Sequence, residues 1–491
     1  MIEPEYPHSC IADWLGCHDP DTQALVFEDG RSWTYGQLDA WAGRLSGYLA
    51  SEFGVGRGDR VAFLGLNDPA MIALLFACAR LGAVLSPLNW RLAPAELGWI
   101  CEDSEPQVLV HDSTFADVAN EAALGVCPLV AVETLNHVEA NPAPLTGDLD
   151  DPLLIVYTSG TTGRPKGAVL TQRAVQVNAY ASHDLHQFGM RDNVLVVLPI
   201  FHVGGLNISF TPSLFKGACV HLHSRFEPQH TLDAIQQVRP AILVMVPATM
   251  MALMALPGWD RADLSSLRMV TAGSMIVPPE LIAAWEARGV SVVIVYGSTE
   301  TCPIAAYTRP GDGKTLPQSA GKAALYSEIR IAASEGETGE IEVRGAHVMR
   351  EYWRNEAETA AAFDDGWLRT GDLGFLREDG HLVVRDRRKN LIISGGENIY
   401  PAEVERVIGA VDGVVECCVA GIADDKWGET PAAAIVLAPD ADKDVVRANL
   451  RTALEQQLAH FKHPRRLHFI DALPRNVMGK VIIDEVKKLL T

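Results

Sequence analysis

Short β-rich apolar runs alternate with helical patterns through most of this chain, and that alternation predicts an α/β architecture with largely parallel sheets. The runs are Val61 to Leu66, Leu153 to Tyr157, Val194 to Leu198, Ala241 to Val246, Leu267 to Thr271 and Ser291 to Tyr296. A helix is expected to open at Thr34, where Gln37 completes a capping box and Leu38, Trp41, Leu45 and Leu49 share one face. After about Gly336 the texture changes. Gly339 to Gly345 and Gly380 to Arg385 read as strands joined by turns such as Glu378-Asp379-Gly380. The charged cluster Arg385-Asp386-Arg387-Arg388-Lys389 then precedes a last part that reads as a small α/β domain.

The 491 residues exceed what one hydrophobic core organises, so at least two domains are expected. A net charge of −21 repels nucleic-acid phosphates and argues against a nucleic-acid partner. It equally repels ATP and carboxylates, so a site for either needs local Lys, Arg, backbone N–H groups or a metal. The apolar stretch Ala70 to Leu85 is short and carries Arg80, which predicts a buried helix and no integral membrane segment. The nine Cys are scattered without a CxxC pair, the start lacks a signal-peptide pattern, and the chain ends in Leu-Leu-Thr and not in a peroxisomal signal. A reduced, cytoplasmic protein is expected. His221 and His223 alternate as in a strand; two His are not a metal site without further ligands, so both read as structural.

The densest chemical signal is YTSGTTGRPKG, Tyr157 to Gly167. Thr158, Ser159, Thr161 and Thr162 supply hydroxyls, while Gly160, Gly163 and Gly167 let backbone N–H groups approach an anion and Lys166 adds charge. This suits a polyphosphate. It is not a Walker A loop, because the Gly-Lys-Ser/Thr ending is missing.

The stretch resembles the phosphate-loop signature of the adenylate-forming superfamily of acyl-CoA synthetases, peptide-synthetase adenylation domains and firefly-type luciferases, and further motifs follow in that family's order. The resemblance implies a large N-terminal domain (1–386) with mainly parallel sheets and a β-barrel-like subdomain, and a small mobile α/β C-terminal domain (387–491) turning near a hinge at Lys389. It implies that Tyr296 packs on adenine, beside Gly297, that Thr299 meets the α-phosphate and that Glu300 holds Mg²⁺. Ala272, Gly273 and Ser274 resemble the small-residue segment lining the adenine and acyl pockets. Asp372, in Thr370-Gly371-Asp372, matches the residue that holds the ribose hydroxyls, joined by Arg387. His202, Val203 and Gly204 resemble the segment beside the carboxylate, with Ser298 nearby. Gly396 resembles the loop that enters the site for the thioester step, where glycine permits close approach to the pantetheine. Lys480, in PRNVMGK, matches the family's catalytic Lys.

The activity implied is AMP-forming acyl-CoA synthesis. A carboxylate attacks the α-phosphate of MgATP, pyrophosphate leaves, and the thiol of coenzyme A displaces AMP from the acyl-adenylate. Lys166, Thr299, Glu300 and Lys480 would carry the first step. Gly204, Gly205, Ala272 and Gly273 leave space for an acid larger than acetate, whether aryl, cyclic or medium- to long-chain. The main alternative is a stand-alone adenylation enzyme that loads a carrier protein. The pocket stretch Phe-His-Val-Gly lacks the Asp that grips an amino group, and no carrier domain follows Lys480; both favour coenzyme A. A luciferase-like oxidase and a catalytically dead regulator fit less well. A homodimer is compatible with the sequence, which does not fix the oligomeric state.

Overall fold

The structure is a computed structural model. It describes residues 8–491 apart from 159–163, 275–276, 313–315, 317–318, 335–336, 388–390 and 476–480, and apart from the side chains of 386, 387 and 402. The expected helix runs Tyr35–Phe53 with Thr34 as its N-cap. Gln37 N–H donates to Thr34 Oγ1 at 3.2 Å and Thr34 N–H to Gln37 Oε1 at 2.9 Å. Leu38, Trp41, Leu45 and Leu49 are all buried. The apolar stretch after Asp68 becomes the buried helix Pro69–Leu81, which stops at Gly82 in a left-handed conformation (φ +66°). Among the described residues no helix is long and apolar enough to cross a membrane.

Strand pairing gathers distant segments. In the large sheet six parallel strands lie in the order Gln23–Phe27, Cys219–Leu222, Asn193–Val196, Ile242–Met245, Met269–Ala272, Ser291–Tyr296. Beyond Ser291–Tyr296 the pairing turns antiparallel, through Ala306–Tyr307 and Ser319–Ala323 to Leu382–Arg387 and Trp367–Leu376. The antiparallel strands thus extend the parallel sheet rather than stand apart from it. In a second sheet Arg60–Leu64 lies between Val84–Leu88 and Val108–His111, and Pro152–Thr158 pairs with both Val84–Leu88 and Lys166–Thr171.

The strand expected over Val194 to Leu198 ends at Val196. There a side chain replaces the ladder: Asn67 Nδ2 donates to Leu198 O (3.0 Å) and to His223 O (2.9 Å), and Asn67 Oδ1 accepts from Ile200 N–H (2.9 Å).

The last part forms a third sheet from Ile392–Ser394, Glu397–Ile399, Val414–Asp424, Gly428–Leu437 and Arg466–Ile470. Its core joins Ile392, Ile399, Val404, Ile408, Ile435 and Leu450, all nearly inaccessible to solvent.

Candidate active site

The carboxyl ends of the parallel strands converge on one cleft of about 1250 Å³. Arg91, Thr158, Arg225, Val246, Gly273 and Ser298 line it at or just beyond a strand's last residues, and His202 lines it from the loop that follows Asn193–Val196. This is where an open α/β sheet binds ligands, because chains leaving neighbouring strands part there.

The strands on either side of the phosphate loop, Pro152–Thr158 and Lys166–Thr171, pair antiparallel. Thr158 lies opposite Lys166 in the antiparallel ladder, and Thr158 Oγ1 donates to Lys166 O at 3.4 Å. Ser159, Gly160, Thr161, Thr162 and Gly163 lie outside the described residues, whereas Thr158 and Lys166 line the cleft. The Lys166 side chain is only 9% exposed and its ammonium is ion-paired with Glu358. It also sits 5.3 Å from the centre of the Tyr352 ring. Tyr352 OH donates to Glu300 Oε1 at 2.7 Å. Burial, and then the Glu300 charge, holds the Tyr352 phenol far above its usual range. Sequence reading missed Tyr352 and Glu358. The short strand Glu351–Tyr352 reaches the site by pairing with Lys166–Thr171, and Asn355 caps the helix Glu356–Ala362 that carries Glu358. No periodicity signals either placement.

On the opposite wall Asp372 is 5% exposed and accepts from Tyr296 OH at 2.9 Å. Asp372 and Arg387 face each other across the ladder of Trp367–Leu376 and Leu382–Arg387, so the backbone brings the expected ribose pair together. Gly297, Ser298, Thr299, Glu300, Gly273 and Ser274 line the cleft. Ala272 does not; it is fully buried in its strand. Tyr296 stands behind the lining, with its hydroxyl on Asp372. Gly273 has a packing reason to lack a side chain: a Cβ there would lie 2.8 Å from Val295 O.

His202, Val203 and Gly204 also line the cleft. His202 precedes the helical turn Val203–Gly205, and a π-helical turn, Leu206–Phe210, follows. Such turns are rare and often mark functional sites. A Cβ on Gly204 would meet nothing within 4 Å, so this wall leaves room for ligand.

The third sheet contributes Gly395, Gly396, Glu397 and Asn398 to the same cleft. Ser394 pairs with Glu397, so Gly395 (φ +60°) and Gly396 (φ +88°) form a two-residue hairpin turn. Both residues of the favoured turn type need positive φ. A Cβ on Gly396 would meet Val246 Cγ1 at 3.5 Å, an ordinary contact. The turn's backbone by itself calls for glycine at both positions.

Glu397 is a further residue that the sequence did not single out. Its carboxylate is ion-paired with Arg91 and lies 3.2 Å from His202 Nε2. Burial would raise its pKa, but His202 and Arg91 outweigh burial and bring it down to about 2. A second ion cluster spans the same junction. Lys462 Nζ donates to Glu96 Oε1 at 2.6 Å and to Glu403 Oε1 at 2.9 Å, with all three side chains nearly inaccessible. Lys389 and Lys480 lie outside the described residues, as does the Arg387 side chain. Flanking the Lys480 segment, Arg475 is ion-paired with Glu416, and neither Arg475 nor Val481 lines the cleft.

Residues 16–353 match the AMP-binding enzyme family and residues 403–480 match the AMP-binding enzyme C-terminal domain. The chain belongs to the AMP-binding enzyme family. It is 43% identical to indoleacetate–CoA ligase of Aromatoleum aromaticum, over 98% of each chain. It is 39% identical to feruloyl-CoA synthase of an Amycolatopsis species, over 94% of this chain and 95% of that one. Among solved structures, a double mutant of o-succinylbenzoate CoA synthetase from Bacillus subtilis, bound with its product analogue OSB-NCoA, superposes with a TM-score of 0.89 at 32% identity, over 98% of both chains. The same synthetase in complex with the acyl-adenylate intermediate OSB-AMP, at the same identity and coverage, gives 0.73. The chain is accordingly an ATP-dependent, AMP-forming acid–thiol ligase of the acyl-CoA synthetase type.

Proposed function

We propose that this enzyme activates an aromatic or arylalkyl carboxylic acid, and that the arrangement described above is the one that makes the thioester. The carrying observation for the first part is the open wall at Gly204. Nothing lies within 4 Å of a Cβ built there, and Val203, Ile208, Val295 and Pro303 give the cleft apolar lining. A flat ring fits such a slot, and two relatives named for aryl acids, at 43% and 39% identity, support the reading.

The difference in TM-score between the two complexes of one synthetase supports the second part. One fold at one identity scores 0.89 in one complex and 0.73 in the other, as expected when two bodies change their mutual orientation. The Gly395–Gly396 hairpin in the cleft agrees with the thioester arrangement. The domain boundary near residue 386, and rotation about Lys389 to bring Lys480 to the cleft, belong to this proposal.

In the first step the substrate carboxylate attacks the α-phosphorus and pyrophosphate leaves. Lys166, Thr299 and the 158–163 loop would hold the phosphates, and Lys480 would balance charge on the oxygens. Asp372 and Arg387 would hold the ribose. The carboxylate of Glu300, a hard oxygen donor lining the cleft, suits Mg²⁺, which would neutralise phosphate charge when bound. In the second step the thiol sulfur of coenzyme A attacks the acyl carbonyl, AMP leaves with the bonding electron pair, and the thiol proton passes to solvent. Here Glu397, held by Arg91 and close to His202, fixes the hairpin at the cleft and keeps His202 oriented.

A pyrophosphate-release screen across aliphatic and aromatic acids tests the substrate class. Indole-acetic, phenylacetic and cinnamic-type acids should exceed straight-chain fatty acids in kcat/KM by about tenfold or more, the discrimination a shaped apolar pocket typically gives. A preference for fatty acids of that size would refute the aromatic assignment.

A further inference from the structure

The parallel pairing of Gln23–Phe27 with Cys219–Leu222 places Phe27 opposite Leu222. The next residue on each strand is therefore also a neighbour: Glu28 beside His223, with Glu28 N–H donating to Leu222 O at 3.1 Å. A short turn later the helix Pro228–Val238 begins, and Glu227 caps it by accepting from His230 N–H at 2.7 Å. That cap turns His230 back over His223, with ring centres 4.5 Å apart. Three potential ligands from two sequence regions thus meet: Glu28, His223 and His230, whose ligating atoms all lie within 4.8 Å of one another.

The spacing suits a shared central atom better than direct hydrogen bonds. Glu28 Oε2 lies 3.8 Å from His223 Nδ1 and 3.7 Å from His230 Nδ1, too far for either bond. His223 Nδ1 is buried and has no hydrogen-bond partner among the described residues, while the His223 side chain is only 6% exposed. A tetrahedral ion with bonds of about 2.0–2.1 Å sets its ligands roughly 3.4 Å apart, so Glu28 needs to approach each His by only a few tenths of an ångström. The two rings are inclined by 29°, and the His230 ring must turn out of its stack to aim its lone pair. Its side chain is 52% exposed, which gives it freedom to turn and gives the ion a path in.

We propose that Glu28, His223 and His230 form a binding site for a borderline divalent transition ion of the Zn²⁺ class, completed by water and separate from the nucleotide cleft. Two imidazoles and one carboxylate are the donors such an ion selects, whereas Mg²⁺ and Ca²⁺ prefer all-oxygen sites. The ion would tie the edge strand Gln23–Phe27 to the helix Pro228–Val238. It would also brace Ser224, Arg225 and Phe226, which follow His223 and line the cleft.

The test uses the full chain, free of affinity tags and stripped with a chelator, titrated with Co²⁺ without nucleotide. One equivalent should bind and give visible d–d absorption without the near-ultraviolet thiolate band that a cysteine site would add, and Zn²⁺ should displace it. His230→Ala and Glu28→Gln alter partly exposed side chains and should leave the fold intact. Each should weaken Co²⁺ binding at least roughly tenfold, and Zn²⁺ should raise the melting temperature of the unmodified chain but not of these variants. Absence of stoichiometric binding, as expected if only water bridges the three groups, would overturn the proposal. So would unchanged affinity in both variants.

Discussion

Two ion clusters join the third sheet to the rest of the molecule, and they differ in their access to water. Glu397, Arg91 and His202 border the cleft, with side-chain exposures of 9%, 34% and 38%. Lys462, Glu96 and Glu403 are at most 6% exposed, and Glu403 Oε2 has no hydrogen-bond partner among the described residues. If the first cluster opens, Arg91 and His202 pass into solvent that already reaches them, so its separation costs less than that of fully desolvated charges. The second has three desolvated charges. Breaking such a group by removing one partner is costly, because the others remain buried without compensation. The difference assigns separate work to the two contacts. On the proposed two-step reading, the cleft cluster would position the hairpin, and the buried cluster, beside which the helix Lys443–Gln457 packs on Pro94–Ser104, would hold the orientation.

The largest effect is expected for Lys462→Met. It leaves Glu96 and Glu403 buried as like charges and should destabilise the arrangement by about 3–5 kcal/mol. Thioester formation should fall steeply while ATP- and acid-dependent pyrophosphate release continues and acyl-AMP accumulates. Lys462 also pairs with Glu403 within its own sheet region, so Glu96→Gln serves as the companion variant: it should shift the half-reactions in the same direction without touching that pair. Equal loss of both half-reactions in Glu96→Gln would show that the buried cluster supports folding and not orientation.

Lys480→Ala should produce the opposite signature. Adenylate formation should fall by about 100-fold or more, as when one electrostatic contact to developing charge is lost, while supplied acyl-AMP is still converted to thioester. Stopped-flow measurement of each half-reaction separates the two signatures; matching losses would mean that Lys480 does not belong to one step alone.

On the cleft side, Gly396→Ala should act on the turn alone. The added Cβ has room beside Val246, so the expected cost is that of a left-handed alanine, about 1–2 kcal/mol. The thioester step should weaken up to about tenfold, with pyrophosphate release nearly unchanged. A larger loss in which both half-reactions and the melting temperature fall together would point to collapse of the turn.

The smallest effect is in pH. Glu397 has its carboxyl lowered from 4.5 to about 2 by His202 and Arg91 acting against burial. Its contribution is complete above 4.5 and is lost as pH falls toward 2. Glu397→Gln should therefore weaken thioester formation by a constant factor across neutral pH. A variant-to-parent ratio that changes between pH 6 and 8 would show that the Glu397 charge does not govern the contact.

Much of the frame can be read along the chain, because its signals are local. Thr34 and Gln37 are one helical turn apart, and backbone geometry alone makes them a capping box. The run Ser291 to Tyr296 is a strand over the same residues, and the motif after it supplies Gly297, Ser298, Thr299 and Glu300 to the cleft. The contacts that only the tertiary structure decides are pairs whose members belong to different elements. Lys166 meets Glu358 because the short edge strand Glu351–Tyr352 pairs with Lys166–Thr171. Arg91 meets Glu397 across 306 residues of chain. His223, which by sequence has only His221 for company, finds Glu28 and His230 because the strand Gln23–Phe27 pairs with one nearly two hundred residues later. Hydrophobic periodicity states which face of a strand is buried. It does not state which strand lies next to it, and neighbouring strands decide which charges share a low-dielectric space.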